Sequence, residues 1–124
     1  MVAACLLVAG TALSLASADF TLGWTHSVER TEWREEWRVA DGALRLRGSR
    51  LRGSGAGMEP GPDARLEDGW WVSGGGLTVP ALALAVSGAT GGGWTLCADG
   101  TCRVIGAEAG PPVTLAPCPA GTRP

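Results

Sequence analysis

The chain has no lysine and no tyrosine, and among its 124 residues there is one phenylalanine and one histidine. Each absence narrows the reading. Basic charge comes from ten arginines alone and is outweighed by twelve acids, for a formal charge of −2. That balance gives no reason to expect nucleic acid or an acidic membrane surface as a partner. A single histidine and four cysteines without a second closely spaced pair leave no metal-ligand set, so neither a metal nor a cofactor is expected. No internal repeat and no convincing helical period run through the chain, which argues against solenoids and bundles. Tryptophan is the one abundant aromatic, with six copies. Each buried indole removes a large apolar area from water, so Trp24, Trp33, Trp37, Trp70, Trp71 and Trp94 are expected to supply much of a small core. Leu22, Val28, Val39, Leu46 and the apolar strand at 81–86 are expected inside with them.

Glycine and proline make up 28 of the 124 residues and a third of the segment from Gly53 onward. The front half is therefore the better specified. Residues 2–16, VAACLLVAGTALSLA, form an uncharged apolar run that ends at Ala16-Ser17-Ala18, a small-x-small pattern. This resembles an export leader and its cleavage site, although no Lys or Arg precedes it. The expected division is a leader-like segment at 1–18, a single β domain at 19–118 and a flexible tail at 119–124. Two other readings compete. Val2-Ala3-Ala4-Cys5 has the composition of a lipoprotein box but lacks the apolar stretch that must come before one. Residues 12–16 alternate and could instead be a first strand kept in the mature fold. Export, to the periplasm or beyond, is the expected location, with membrane contact only through an uncleaved N-terminus.

Short alternating strands punctuated by turns dominate the rest. Residues 20–28 and 31–39 read as strands. In the second, Thr31, Trp33, Glu35, Trp37 and Val39 share one face, while Glu32, Arg34, Glu36 and Arg38 alternate acid and base on the other. A helix is the rival there, because Trp33 and Trp37 are four apart and Glu and Arg favour helices; the Asp41-Gly42 turn that follows directly favours strand. Asp41-Gly42 then turns the chain into residues 43–46, and 49–52 continue that strand after a kink. Residues 53–63 are a loop. Asp68-Gly69 turns into 70–72, and 113–116 close the series. In Cys97-Ala-Asp-Gly-Thr-Cys102, Asp99-Gly100 suits a type I′ turn, because both central positions need positive φ. Cys97 and Cys102 then face each other as a non-hydrogen-bonded pair, a spacing that suits a cross-strand disulfide. Cys118 is left over if Cys5 departs with the leader. The whole reads as all-β, a small antiparallel sandwich or partly open barrel.

The densest chemistry lies at 20–39. His26 is the natural acid–base candidate, because it alone titrates near neutrality unperturbed. Its plain alternative is a structural histidine between tryptophans. Ser27 next to it is not a Ser–His pair, since neighbouring strand residues point apart. Glu29 and Glu35 are the candidate acids. Glu29 lies on the face opposite His26 in a regular strand, and only a bulge near Val28 would bring the two together; Glu35 sits on the tryptophan face, where a carboxylate needs a partner such as Arg30, Arg45 or Arg47. The loop containing Gly55 and Gly57 follows no βα unit, which discounts a nucleotide site. Backbone amides in such a loop, flanked by Arg50, Arg52 and Arg65, suit a small carboxylate or phosphate.

The run Phe20-Thr-Leu-Gly-Trp-Thr-His-Ser-Val-Glu29, with Thr31, Glu35 and Gly53-Ser-Gly-Ala-Gly57, resembles the DUF1850 family, a bacterial domain of unknown function. The resemblance covers nearly the whole chain, which departs from longer relatives by a very short N-terminal lead. It implies export and, by association, an accessory role beside tripartite TRAP-type transporters or their solute-binding proteins. The functional expectation is an exported binding or accessory protein, with His26, Ser27, Glu29, Glu35, Arg50, Arg52, Gly55 and Gly57 around a small anionic ligand. The alternatives are a small hydrolase or lyase using His26 with Glu29 or Glu35, and an envelope-interaction domain without a small ligand.

Overall fold

The computed structural model describes residues 4–26, 31–52, 65–86, 93–108 and 110–119. They form twelve strands: β1 Ala4–Val8, β2 Thr11–Leu15, β3 Asp19–His26, β4 Thr31–Ala40, β5 Ala43–Arg52, β6 Arg65–Glu67, β7 Trp70–Gly74, β8 Thr78–Val79, β9 Leu82–Val86, β10 Trp94–Ala98, β11 Thr101–Ile105 and β12 Gly110–Pro117. Every pairing is antiparallel. The large sheet runs β11-β10-β3-β4-β5-β7-β6, with β8 also on β5, and the small sheet runs β2-β1-β12-β9. The sheets are not closed into a barrel. No helix among the described residues is long and apolar enough to cross a membrane.

Four hairpins turn on a residue–glycine pair with both φ positive: Ala9-Gly10, Asp41-Gly42, Asp68-Gly69 and Asp99-Gly100. This is the two-residue geometry whose twist matches that of paired strands. Three of the four are Asp-Gly, one of the pairs that tolerate the left-handed region. Thr31–Ala40 is strand and not helix, because its Trp and Val positions alternate with charge at period two and feed directly into such a turn.

Between the sheets lies a leucine core. Leu6, Leu15, Leu84 and Leu115 from the small sheet meet Phe20, Leu22, Trp37, Leu44 and Leu96 from the large one. The expectation of a tryptophan-built core needs correction. Trp37 is buried at 2% exposure, whereas Trp71 is 36% exposed and Trp24, Trp33, Trp70 and Trp94 are only half-buried. The small sheet covers the part of the large sheet that carries Phe20, Trp37 and Leu44. The other indoles lie farther along the strands or, for Trp70, on the opposite face. Leu22, Leu84 and Val86 are inside as expected, with Val39 and Leu46 packed at the margin. Val28 lies outside the described residues, as do 120–124 of the expected tail.

The apolar run expected as a leader occupies two strands of the small sheet. Leu6 and Leu15 are fully buried, β1 pairs along β12, and Cys5 is bonded to Cys118. Residues 16–18 then cross to the large sheet. The Ala16 and Ser17 amides donate to the two carboxylate oxygens of Asp99 at 2.8 and 3.3 Å, and the Val39 amide donates to the Ala18 carbonyl at 2.9 Å. The second disulfide joins Cys97 and Cys102 across β10–β11, in the register expected from the Asp-Gly turn.

The Cys5–Cys118 bond closes a loop of 113 residues, and closing a loop of that size constrains the unfolded chain by about 4–5 kcal/mol in the chain-entropy model. Cys118→Ser is therefore expected to cost about 2–5 kcal/mol in urea unfolding. A chain begun at Asp19, which exposes the partners of Leu6 and Leu15, is expected to lose cooperative unfolding. Unchanged urea midpoints in both would contradict this fold.

Candidate functional site

The geometry of β5 decides what the outer face of the large sheet presents. Its sequence is ALRLRGSRLR. In plain alternation Leu44 and Leu51 would face opposite sides. The ladder against β4 shifts by one residue at Arg47, so that Trp37 pairs with Leu46 and Glu36 with Gly48. This bulge turns Leu44, Leu46 and Leu51 inward together and sends Arg45, Arg50 and Arg52 outward together. The next strand adjusts to it. Leu46 accepts from the Gly76 amide and donates to the Leu77 carbonyl, so the β7–β8 link wraps around the bulge. A Cβ at Gly75 would collide with the Leu46 carbonyl, so only glycine fits that close approach.

On the outer face, Gly48 lies opposite Gly74. With no side chains there, the sheet carries a groove of about 380 Å³ lined by Glu36, Arg47, Arg50, Arg65 and Ser73. Arg50 is 3.9 Å from Glu36, and Arg47 is 3.3 Å from Asp19. Beyond the groove, Arg52 binds Glu32 at 2.6 Å. The guanidiniums of Arg52 and Arg34 lie 4.6 and 5.3 Å from the Trp70 ring centre, within cation–π range. These ion pairs are half-exposed, and each contributes little to stability. Their consequence is positional: they hold planar guanidiniums beside an open depression, the geometry that takes a carboxylate or phosphate in bidentate fashion. A second recess, of about 200 Å³, lies between β2 and the β10–β11 hairpin and includes Asp99 and Arg103. Its Asp99 carboxylate is occupied by the Ala16 and Ser17 amides.

Arg50 and Arg52 were expected beside the glycine loop; within the described residues their partners are Glu36, Glu32 and Trp70. Ser27, Glu29, Gly55 and Gly57 lie outside the described residues. His26 ends β3 opposite Thr31, and Glu35 stands opposite Leu22. The two positions are four ladder steps apart, about 13 Å along the strand. On the inner face Glu35 is half-buried, and the Trp37 indole N–H donates to its Oε1 at 3.2 Å. Arg45, one of its expected partners, sits on the opposite face beside Arg38, and Arg47 pairs with Asp19. Trp24 stacks on Trp94 at 6.2 Å between ring centres, and the Trp94 indole N–H donates to the Ala85 carbonyl. What the sequence reading missed is that Arg47 joins Arg50 and Arg65 at the groove. The signal was the LRLRGSRLR string, whose leucines can all point inward only if one residue is looped out.

Because Trp37 is buried, removing its acceptor orphans an indole N–H at a cost of about 1–3 kcal/mol. Glu35→Ala is expected to lose that much in urea unfolding, whereas Glu35→Gln, which keeps an amide oxygen, is expected to lose less than about 1 kcal/mol. Equal losses in the two variants would mean that the carboxylate charge, and not this bond, holds Glu35 in place.

Comparison with known proteins adds a family. Searches of curated proteins and of solved structures each found no match. The model of a domain of unknown function, DUF1850, matches residues 20–105. That span takes in β3 to β11, including the groove and the strands that shape it, and the chain belongs to the DUF1850 family.

Proposed function

We propose that this protein is an exported binding or accessory module that takes a small carboxylate in the outer-face groove and serves a solute-uptake system of the TRAP type. The observation that carries the ligand reading is the groove itself: Arg47, Arg50 and Arg65 around a floor of facing glycines, with Glu36 the one acid among the described lining residues. Arginine matches the planar carboxylate fork, and a glycine floor lets the ligand approach the sheet backbone. An incoming carboxylate would replace Glu36 at Arg50, exchanging a 3.9 Å contact for a closer one.

Export draws support from the two disulfides, since such bonds persist where thiols are not kept reduced. The transport role follows from the family resemblance and gives the ligand class a purpose, because uptake systems of this kind hand on small solutes. The enzyme alternative, His26 with Glu29 or Glu35, draws less from the geometry, because Glu35 is engaged by Trp37.

The test is a thermal-shift and calorimetric screen of acetate, succinate, citrate and inorganic phosphate. A ligand specific to the native state at tenfold its Kd adds about 1.4 kcal/mol, which raises the midpoint by several degrees. Arg50→Ala and Arg65→Ala are expected to abolish the shift while leaving the unliganded midpoint in place. A screen without any shift, or a shift indifferent to both substitutions, would remove the groove as a binding site and favour an envelope domain without a small ligand.

A further inference from the structure

Charge is segregated in this molecule. Seven of the ten arginines, Arg34, Arg38, Arg45, Arg47, Arg50, Arg52 and Arg65, stand on the outer face of the large sheet. Among the described residues they share it with four acids, Asp19, Glu32, Glu36 and Glu67. In a chain of net charge −2, the described part of this face thus carries excess positive charge. The arrangement across β4 and β5 adds to this. β4 alternates acid and base outward, but the charged residues that β5 sends outward are all arginines. Arg38 lies directly opposite Arg45, and Arg34 directly opposite Arg50. Like charges opposite each other in a ladder are destabilising. The acid that faces Arg38 from β3, Asp19, bonds Arg47 instead. Arg38 and Arg45 have no ion pair among the described residues.

We propose that this arginine face docks an acidic, extended segment of a partner protein. The proposal rests on the accessory role above; it shares arginines with the groove but does not require the groove to take a small carboxylate. Carboxylates are the occupants the face already accepts: Arg34, Arg47, Arg50, Arg52 and Arg65 each contact an Asp or Glu of this chain. A partner's glutamates and aspartates would meet the same guanidinium forks. The two like-charged pairs are four residues apart along β4, about 13 Å, and acids four apart in an extended partner segment have the same spacing. Trp70, the indole on this face, lies under Arg34 and Arg52. It is thereby taken from the base stacking that single-stranded nucleic acid requires.

The test titrates the full chain with a fluorescent ten-residue polyglutamate. A ten-nucleotide oligothymidine and vesicles of anionic phospholipid are run beside it. The peptide is expected to bind, with affinity falling about tenfold or more as salt rises from roughly 20 to 150 mM. Arg38→Ala/Arg45→Ala is expected to weaken binding about tenfold, to leave the succinate response of the groove unchanged, and to keep or raise the thermal midpoint, because it relieves a like-charge pair. Arg103→Glu, an equal change in net charge away from this face, is expected to leave peptide binding intact. Absence of peptide binding, equal weakening by Arg103→Glu, or tighter binding of the oligonucleotide or vesicles would each overturn the proposal. A groove that fails with succinate while the peptide still binds would overturn only the ligand reading.

Discussion

One extra residue in β5 decides which side of the large sheet is apolar and which is charged. A strand has period two, so a segment with Leu44, Leu46 and Leu51 cannot bury all three without a break in register. Looping out Arg47 supplies that break. From it follow the inward leucines that meet the small sheet and the outward arginines that line the groove. The β7–β8 link, with its crowded Gly75, follows as well. Core and candidate site are two faces of the same bulge.

The small sheet is the other half of the core, and it is built from the two ends of the chain. β1 and β12 lie side by side, and a disulfide joins their termini at Cys5 and Cys118. Asp99 then ties the crossover from β2 to the β10–β11 turn through two backbone amides. These contacts have one physical effect: they hold the small sheet over Phe20, Leu22 and Trp37, which would otherwise face water.

Much of this was legible in the sequence because it is local. Asp41-Gly42, Asp68-Gly69 and Asp99-Gly100 announce hairpins through the positive φ they tolerate. The 97–102 spacing announces a disulfide through the register such a turn imposes. Ala9-Gly10 was not legible, since alanine is a poor signal for φ near +50°, and an apolar run such as ACLLV has the same composition in an export leader as in a buried strand. The pairing of Cys118 was hidden for the same reason. The tryptophans misled because alternation gives relative faces but not how far the opposing sheet reaches. Trp70 and Trp71 are adjacent, so one of them had to face outward, and Arg34 and Arg52 cover the one that does. At the site, Arg50 and Arg52 were read against the neighbouring glycine loop, whereas their described partners come from β4 and β7, which only the ladder register identifies.

The sorting role of the bulge has a direct test in single-residue deletions within β5. Without Arg47, the strand reads Leu44, Arg45, Leu46, Gly48, Ser49, Arg50, Leu51, Arg52, a plain alternation with every leucine inward. Deleting Leu46 instead puts Arg47 on the core side. Urea unfolding of the two deletions is expected to show a cooperative transition for the first and none for the second. Loss of folding in the Arg47 deletion, or equal behaviour of the pair, would contradict the claim that this bulge sets the two faces of the sheet.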